Sequence, residues 1–390
     1  MGSRLGVTAC AVAGAAALSV FGAAAAGAAA APKAGPVSVY VTHVNGASAS
    51  PFPVLHTVTP IQGTTAGPAI SVGQEPSAIA ITPNGKTAYV ANFGADTPGH
   101  TVTPIDTATN RAGPAINVGS GPGALAITPN GKTVYVANEL SGTVTPISTS
   151  TDRPGPAIKV GQYPMQVAIT PNGKTAYVLN GTSNTITPIS TATGQAGPAI
   201  KVAAGPDAIA ITPNGCTAYV ASWNTVGEPG FVTPIAVATD KTGPRIKVGS
   251  GPSTLTITPN GKTVYVATQD SATVTPISTA TNQAGPAIRP HGSPYALAVT
   301  PNGKTVYALV PGSLYYTRSV VTPIRTDTNR AGPPITVGYG GIAIAITPDG
   351  RAVYVANYFS GTVTRIDTAT DRVAATIHVG NYPWAIAIAP

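Results

Sequence analysis

The sequence predicts an all-β fold, specifically a β-propeller built of four-stranded blades. One observation is a repeat: a block with one tyrosine recurs along almost the whole chain, at intervals of 42 to 49 residues. The other is composition, because short apolar and β-branched runs alternate with turns in a chain that has 44 glycines and 39 prolines. Repeats of this length made of short strands are typical of propeller blades and not of helical solenoids. The repeat tyrosines are Tyr40, Tyr89, Tyr135, Tyr177, Tyr219, Tyr265, Tyr307 and Tyr354.

The unit at residues 124–161 shows how one repeat makes a blade. Its first run, Ala-Leu-Ala-Ile at 124–127, predicts an inner strand A, because an apolar run fits a strand that is covered on both faces. The sequence Thr-Pro-Asn-Gly-Lys then predicts a tight turn with glycine at a positive φ. Strands B, C and D are predicted at 133–137, 143–147 and 157–160. One such blade cannot bury its own faces, so the blades must stack side by side.

A proline recurs in the middle of the predicted strand C, as at Pro104 and Pro146, and Arg365 replaces it in the last copy. Proline has no N–H to donate to a neighbouring strand. We therefore expect each proline to lie at a bulge or beside a short pairing, and strand C to be irregular.

The two ends of the chain predict how the ring closes. The run at 385–388 is an eighth copy of strand A, and no strands B to D follow it. The copy that contains Tyr40 has strands B to D and no strand A. Because the two fragments complement each other, we expect the C-terminal strand A to complete the first blade of an eight-bladed ring. Seven blades are the alternative, if the Tyr40 copy packs outside the ring.

The N-terminus predicts export. Residues 1–31 combine an early cation, Arg4, with an apolar stretch and a final run of small residues, which is the pattern of a secretory signal peptide. Lipoprotein processing at Cys10 is the alternative, although too few residues precede it for a charged region and an apolar core. Residues 32–390 then form a single propeller domain of a secreted, extracellular protein. Its one remaining cysteine, Cys216, excludes an intramolecular disulfide.

The formal net charge is +8, although only 9% of the residues are charged. Six A–B turns place a cation at the same position, so these side chains are expected to form a ring on one face of the propeller. Such a ring keeps the protein soluble, and weak contact with a polyanion is the alternative. The ring consists of Lys86, Lys132, Lys174, Lys262, Lys304 and Arg351.

Two blocks carry a resemblance to a known family. Residues 347–357 read Thr-Pro-Asp-Gly-Arg-Ala-Val-Tyr-Val-Ala-Asn, and residues 360–370 read Ser-Gly-Thr-Val-Thr-Arg-Ile-Asp-Thr-Ala-Thr. These blocks strongly resemble the YVTN β-propeller repeat family, and the resemblance covers about residues 37–390. It implies a surface-layer-like or secreted bacterial propeller, with lactonase-like propellers as more distant relatives. It implies no single activity, because a fold does not fix a function.

The B–C and D–A loops share the face opposite the cation ring, and there the copies differ in length and composition. Loops on a rigid scaffold commonly carry binding residues, and aromatic side chains suit protein or carbohydrate partners. Tolerated loop variation is the alternative. The candidate binding residues are Phe93, Tyr163, Trp223, Tyr315, Tyr316, Tyr339, Tyr382 and Trp384.

The sequence contains no recognisable catalytic or metal-binding motif. It has no Cys-x-x-Cys-His, no His-x-x-x-His pair, no Gly-x-Ser-x-Gly and no phosphate-binding loop. We therefore predict neither a metal nor a cofactor. The catalytic candidates are side chains that these loops direct at the central opening, namely His100, His291, Glu75, Glu139 and Asp270.

Two functions remain open. The first is a binding or scaffold protein, a monomer without a membrane span, that contacts an extracellular protein or carbohydrate through the irregular loops. The alternative is an enzyme of the lactonase, lyase or isomerase type with its site at the mouth of the central channel. Because no local spacing pairs two catalytic groups, the sequence favours the binding protein.

Overall fold

The structure is a computed structural model that describes residues 38–44, 56–94, 99–224, 228–312 and 317–390, and the predicted signal segment lies outside them. All regular elements in these ranges are β-strands, and they form eight antiparallel sheets. In each sheet the strands lie in the order A, B, C, D from the centre of the ring outward. Neighbouring strands A contact one another all around the ring. The predicted eight-bladed propeller is therefore confirmed, and the alternative of seven blades is wrong.

The blades are numbered from the N-terminus. Strands A of blades 1 to 8 are Pro383–Ile388, Pro76–Ile81, Pro122–Ile127, Pro164–Ile169, Pro206–Ile211, Pro252–Ile257, Ala296–Val299 and Gly341–Ile346. Strands B are Ser38–His43, Thr87–Asn92, Thr133–Asn138, Thr175–Asn180, Thr217–Ser222, Thr263–Thr268, Thr305–Val310 and Ala352–Asn357. Strands C are Thr57–Gln62, Thr101–Asp106, Thr143–Ser148, Thr185–Ser190, Phe231–Ala236, Thr273–Ser278, Val320–Arg325 and Thr362–Asp367.

Strand D is short or divided in most blades. In blades 1 to 8 it consists of Thr65–Ala66 with Ile70–Ser71, Arg111–Ala112 with Ile116–Asn117, Arg153–Pro154 with Ile158–Lys159, Ile200–Lys201, Lys241–Thr242 with Ile246–Lys247, Gln283–Ala284, Arg330–Ala331 with Ile335–Thr336, and Arg372–His378. Among the described residues there is no helix of the length and apolarity needed to cross a membrane.

The ring closes through blade 1, where the two ends of the chain meet. The C-terminal strand A pairs antiparallel with the N-terminal strand B, and Val39 lies opposite Ile388 and Val41 opposite Ile386. Because the strands alternate in direction, the A–B and C–D turns share one face of the propeller, called the turn face below. The B–C and D–A loops share the other face, called the mouth face.

The strand C prolines act on strand D rather than on strand C. Strand C is regular, and Pro146 pairs with Tyr135 in an unbroken register, so the expectation of an irregular strand C is wrong. On its other side Pro146 offers only its carbonyl, which accepts from Gly155 N–H at 2.8 Å, and strand D divides into two short pieces there. The expectation that the proline lies beside a short pairing is therefore confirmed for Pro146. In blade 8 Arg365 replaces the proline, and strand D is one continuous strand, Arg372–His378, whose pairing with strand C shifts register between Arg365 and Ile366.

The repeat tyrosines link neighbouring blades. They lie in the strand B cores with no more than 2% of their surface exposed, and most hydroxyls reach the C–D turn of the next blade. Tyr89 donates to Asp152 Oδ1 and Tyr307 donates to Asp371 Oδ1, both at 2.6 Å. The aspartates adopt a positive φ near 54°, which Asn, Asp and Gly tolerate best. Since every hydrophobic cluster combines side chains of two neighbouring blades, these bonds fix the angle between packed sheets.

Candidate active site

Three positions of each repeat surround the central opening on the mouth face, and together they are called the mouth layer. They are the residue just before strand A, the second residue of strand A and the residue just after strand B. Strand A bulges after its first residue in most blades, as between Pro206 and Ala208, and the second side chain lies at this irregularity. The residues at this second position in blades 1 to 8 are Trp384, Ser77, Gly123, Met165, Asp207, Ser253, Tyr295 and Ile342. In blade 7, where strand A is shorter, the equivalent Tyr295 lies just before the strand and Ser293 is the equivalent of the residue before strand A.

Glu139 enters the mouth layer because Gly123 leaves room for it. Glu139 follows strand B of blade 3, and its backbone N–H donates to Gly121 O at 2.7 Å. A Cβ on Gly123 would collide with the carboxyl oxygen of Glu139, so this carboxyl lies against the second residue of strand A. Blade 4 shows the reverse arrangement, because Met165 Sδ lies 2.6 Å from where a Cβ on Gly181 would be.

The carboxyl of Glu139 titrates near neutral pH. Burial raises the pKa of Glu139 from 4.5 to about 7, and hydrogen bonding from Tyr163 opposes this rise by favouring the carboxylate. Tyr163 precedes strand A of blade 4 and has a φ of 56°. Four other blades have glycine at this position. Because a tyrosine has a Cβ that crowds the backbone at a positive φ, this conformation of Tyr163 costs on the order of 1 kcal/mol.

A second carboxyl at the mouth has the same property. Asp207 is the second residue of strand A in blade 5, and burial raises its pKa from 3.8 to about 7, with Trp223 as the opposing hydrogen-bond donor. It is a charged side chain in a strand that is otherwise apolar. In the next blade the equivalent Ser253 has a buried hydroxyl with no hydrogen-bond partner among the described residues.

Blade 4 lies between the two carboxyls and contributes a polar side chain. Gln166, the third residue of its strand A, accepts from Ile209 N–H of blade 5 at 2.8 Å through Oε1. This bond orients the amide group of Gln166. The equivalent residues of the other blades are alanine or threonine, so Gln166 is the one long polar side chain at this position of the eight strands A.

An aromatic cluster lies across the opening from these groups, at the junction of blades 8 and 1. The ring centroids of Tyr358 and Tyr382 are 4.9 Å apart, and those of Tyr358 and Trp384 are 5.9 Å apart. Phe359 meets Tyr358 edge-on at 4.9 Å. We call these four side chains the aromatic wall. Because blades 8 and 1 face blades 4 and 5 in a ring of eight, the wall and the carboxyls lie on opposite sides of the mouth.

The structure does not bring the two predicted histidines together. His100 is exposed just before strand C of blade 2. His291 is exposed in the loop before blade 7, and its Nε2 lies 3.2 Å from Gly332 O beside the outer strand of that blade. Asp270 is also exposed, within 3.3 Å of Ser250 Oγ, whereas Glu75 lies half-buried in the mouth layer before strand A of blade 2.

The predicted binding residues are half-buried on the mouth face where the structure describes them. Phe93, Tyr163, Trp223, Tyr382 and Trp384 belong to the mouth layer.

Tyr339 lies farther out, where the guanidinium of Arg318 stacks 5.5 Å from its ring centre. Tyr315 and Tyr316 lie outside the described residues.

The turn face offers a different surface. The six predicted cations are exposed there. One of them, Lys132, lines a shallow depression of about 630 Å³ on blade 3, together with Arg153 and with Thr, Ser and Pro residues. This depression contains no acidic, histidine or aromatic side chain, so we place the chemistry at the mouth. Within the described ranges no three His, Cys, Asp or Glu side chains are grouped to hold a metal ion.

Asp207 and Gln166 are absent from the residues predicted by sequence, although a signal for both exists. Aligning the strands A of the eight copies shows one charged residue at the second position and one glutamine at the third. The strand is short and apolar, which predicts a buried core strand and draws attention to the loops instead. For Glu139 the signal is the glycine at position 123, because only a residue without a side chain leaves room for this carboxyl.

Comparisons with known proteins point to a family. A family model described as lactonase, seven-bladed β-propeller, matches residues 36–153 and 101–287. Hydrazine synthase of Kuenenia stuttgartiensis has 27% sequence identity and a TM-score of 0.63, over 76% of this chain and 96% of that one. A putative 6-phosphogluconolactonase of Bacteroides uniformis has 16% identity and a TM-score of 0.60, over 90% and 99% of the two chains.

A dihydro-heme d1 dehydrogenase has the higher TM-score of 0.73, with 14% identity over 90% of this chain and 74% of that one. At such identities the last two structures show the fold alone. No curated protein matches the chain. The family description counts seven blades, whereas this chain has eight.

The family match overturns the interpretation of the chain as a non-catalytic binding scaffold. The matching model describes lactonases and spans most of the first six blades. It supports the alternative that the sequence left open, an enzyme-type propeller. The lactonase-like relationship implied by the sequence resemblance is confirmed.

Proposed function

The chain belongs to the family of lactonase β-propellers, and on that premise we propose that it hydrolyses a lactone at the mouth of its central channel. The observation that carries the proposal is the pair of carboxyl groups whose pKa values burial raises to about 7, Glu139 and Asp207. Such shifts cluster at catalytic sites, because a general acid or base works best with a pKa near the ambient pH.

At neutral pH both protonation states of each carboxyl are populated, so part of the molecules hold one ionised and one protonated carboxyl. We assign the base to Glu139, because the Tyr163 hydroxyl stabilises its ionised form. We assign the acid to Asp207, whose pKa rises further from its ordinary value. Two carboxyls in different environments divide the two roles in this way in other hydrolases.

The proposed reaction adds water across the bond between the carbonyl carbon and the ring oxygen of the lactone. A water molecule gives a proton to the Glu139 carboxylate while its oxygen attacks the lactone carbonyl carbon. The bond between that carbon and the ring oxygen breaks, and the ring oxygen takes the proton of Asp207 and leaves as an alcohol. The product is a hydroxy acid, and exchange of protons with solvent restores both carboxyls.

Gln166 is placed to stabilise the negative oxygen that forms during attack. Its amide lies on blade 4 between the two carboxyls, and the bond from Ile209 N–H at 2.8 Å fixes its orientation. A donor that is fixed before the reaction stabilises a developing oxyanion without reorganisation, and removing one such donor costs about 100- to 1000-fold in rate.

The test is hydrolysis of simple γ- and δ-lactones by the variants Glu139→Gln and Asp207→Asn. Both replacements keep the shape of the side chain and remove its proton chemistry, so we expect kcat to fall about 100- to 10,000-fold. Asp270→Asn, at an exposed carboxyl of the same face, is the matched control and keeps wild-type activity. Activity within threefold of wild type in both variants, with an unchanged melting temperature, would exclude this assignment.

A further inference from the structure

We infer that the substrate is an uncharged lactone that carries an apolar substituent, which packs on the aromatic wall of blades 8 and 1. This inference rests on the proposed function, because the carboxyls define where the lactone ring lies. It adds a second subsite, which selects the substituent.

The aromatic wall is built to present ring surface at the mouth. Tyr358 follows strand B of blade 8, and Tyr382 and Trp384 flank the first residue of strand A in blade 1. Their rings are tilted by 40° and 71° relative to Tyr358 and are half-buried, so each is held by its neighbour and keeps accessible surface. Rings arranged in this way bind apolar groups well, because little side-chain freedom is lost on binding.

The backbone also indicates that the wall is maintained against a cost. Tyr382 has a φ of 53°, at the position where Gly121, Gly205, Gly251 and Gly340 have similar positive values. A bulky residue rarely adopts this conformation, and where one does the strain is commonly stored at a functional site. Tyr382 and Tyr163 are the two tyrosines at this position, and they lie on opposite sides of the opening.

The position of the substituent relative to the aromatic wall follows from the arrangement of eight blades in a ring. A lactone ring between Glu139 and Asp207 lies at blades 3 to 5. A substituent that leaves this ring toward the centre of the channel points at blades 8 and 1, where the wall lies. The aromatic wall is therefore the surface that a long substituent meets.

Charge restricts the substrate further. The mouth layer contains three acidic residues, Glu75, Glu139 and Asp207, and none of its members is Lys, Arg or His, although the chain has a net charge of +8. Arg318 lies farther out over Tyr339, and His43 is buried and bonded to Asn381 O and Thr59 Oγ1. His56 accepts from Glu75 N–H at 3.4 Å through Nδ1, and burial lowers the pKa of this imidazole, which favours its neutral form. An anionic substituent such as a phosphate would meet carboxylates without a cation to pair with, which is unfavourable.

The experiment compares kcat/KM for three lactones: δ-valerolactone, δ-dodecalactone and 6-phosphogluconolactone. We expect δ-dodecalactone to exceed δ-valerolactone by about 30-fold or more, because several methylene groups leave water on binding. We expect the phosphorylated lactone to be the poorest substrate. In the double variant Tyr382→Ala/Trp384→Ala the ratio of the first two values falls about tenfold or more, whereas Val373→Ala, on the outer strand of blade 8, leaves it unchanged.

A separate measurement keeps this inference distinct from the proposed activity. The chain has two tryptophans, so the variant Trp223→Phe leaves Trp384 as the fluorescent reporter in the wall. We expect δ-dodecalactam, which is not hydrolysed, to shift this fluorescence saturably, and δ-valerolactam to have no effect at the same concentration. Saturable binding by this variant, together with no hydrolysis of any lactone by the wild-type protein, would overturn the proposed function alone. Hydrolysis without preference for the long substituent would overturn the inference alone.

Discussion

The turn face and the mouth face come from the same eight repeats, yet they use their residues in opposite ways. On the turn face the A–B turns are near copies: Thr82 Oγ1 donates to Asn84 Oδ1 at 2.7 Å, Lys86 N–H donates to the same oxygen at 3.0 Å, and Gly85 has a φ of 71°. The next turn repeats these values at Thr128, Asn130, Gly131 and Lys132. On the mouth face no two blades share the same three residues of the mouth layer.

The comparison of the two faces shows which positions the fold constrains. A side chain that bonds the backbone of its own turn is tightly constrained, so the seven A–B turns of blades 2 to 8 repeat it, with Asp349 in place of asparagine in blade 8. A residue of the mouth layer contacts the opening rather than the repeat, so it is free to differ between blades. Glu139, Asp207 and the aromatic wall depend on that freedom.

Among variants that leave both carboxyls in place, the strongest loss of activity is expected from filling the space beside Glu139. Gly123 is not in the left-handed region, so Gly123→Ala adds a methyl group without backbone strain, but this methyl needs the place of the Glu139 carboxyl. We expect kcat/KM for lactone hydrolysis to fall about 100-fold with the melting temperature nearly unchanged.

Ser77→Ala, at the same position of blade 2, is the control for this variant and keeps its activity. Shortening the acid in the double variant Gly123→Ala/Glu139→Asp should recover part of the loss. Full activity of Gly123→Ala would show that the carboxyl position does not matter.

The second prediction concerns the pH dependence of folding stability, to which Glu139 contributes. The pKa of Glu139 is about 7 in the folded protein and near 4.5 when exposed, so the unfolded state releases its proton first as the pH rises. Folding stability therefore falls between about pH 4.5 and pH 7, where the folded carboxyl still holds its proton. Glu139→Gln removes this dependence.

We expect this variant to gain about 1 to 2 kcal/mol over wild type at pH 8 and nothing at pH 4, a value reduced because the carboxyl is partly exposed. Urea unfolding at the two pH values measures it. A gain of equal size at both values would assign the effect to packing instead.

The sequence predicts those features of the fold that the residues of a single repeat determine. The strand order and the closure at 385–388 follow from counting copies, and the structure agrees. The sequence does not predict features that depend on a contact between two distant positions. The importance of Gly123 appears only when Glu139, sixteen residues later, is known to lie on it.

The proline in strand C shows the same limit. Its missing N–H is evident from sequence, but its effect appears in the neighbouring strand, where Arg365 restores a continuous strand D. The sequence also does not reveal that Asp207 lies at the mouth. Its strand is apolar and predicts a core position, and only the bulge after Pro206 shows that the second residue is irregularly paired.

A smaller effect is expected where the repeat is most regular. Tyr307→Phe removes a hydroxyl that bonds Asp371 at 2.6 Å across two blades, and we expect unfolding to become about 1 to 2 kcal/mol easier. Tyr135→Phe is the matched control, because the equivalent turn residue of blade 4 is Gly194, which has no side-chain acceptor. Thermal unfolding of both variants measures the difference. Equal losses would mean that the hydroxyls contribute nothing beyond packing.

The smallest effect concerns the cations of the turn face. Lys132 and Lys174 are exposed on neighbouring blades and belong to a regular ring, so we expect weak, salt-sensitive binding of a polyanion such as heparin to this face. The double variant Lys132→Glu/Lys174→Glu should elute from a heparin column at lower salt than wild type, while its lactone hydrolysis is unchanged because the ring lies on the opposite face from the mouth. Lys201→Glu/Lys247→Glu, on outer strands, changes the net charge equally and is the control. If both pairs shift elution equally, net charge rather than the ring attracts the polyanion, and the turn face serves the fold alone.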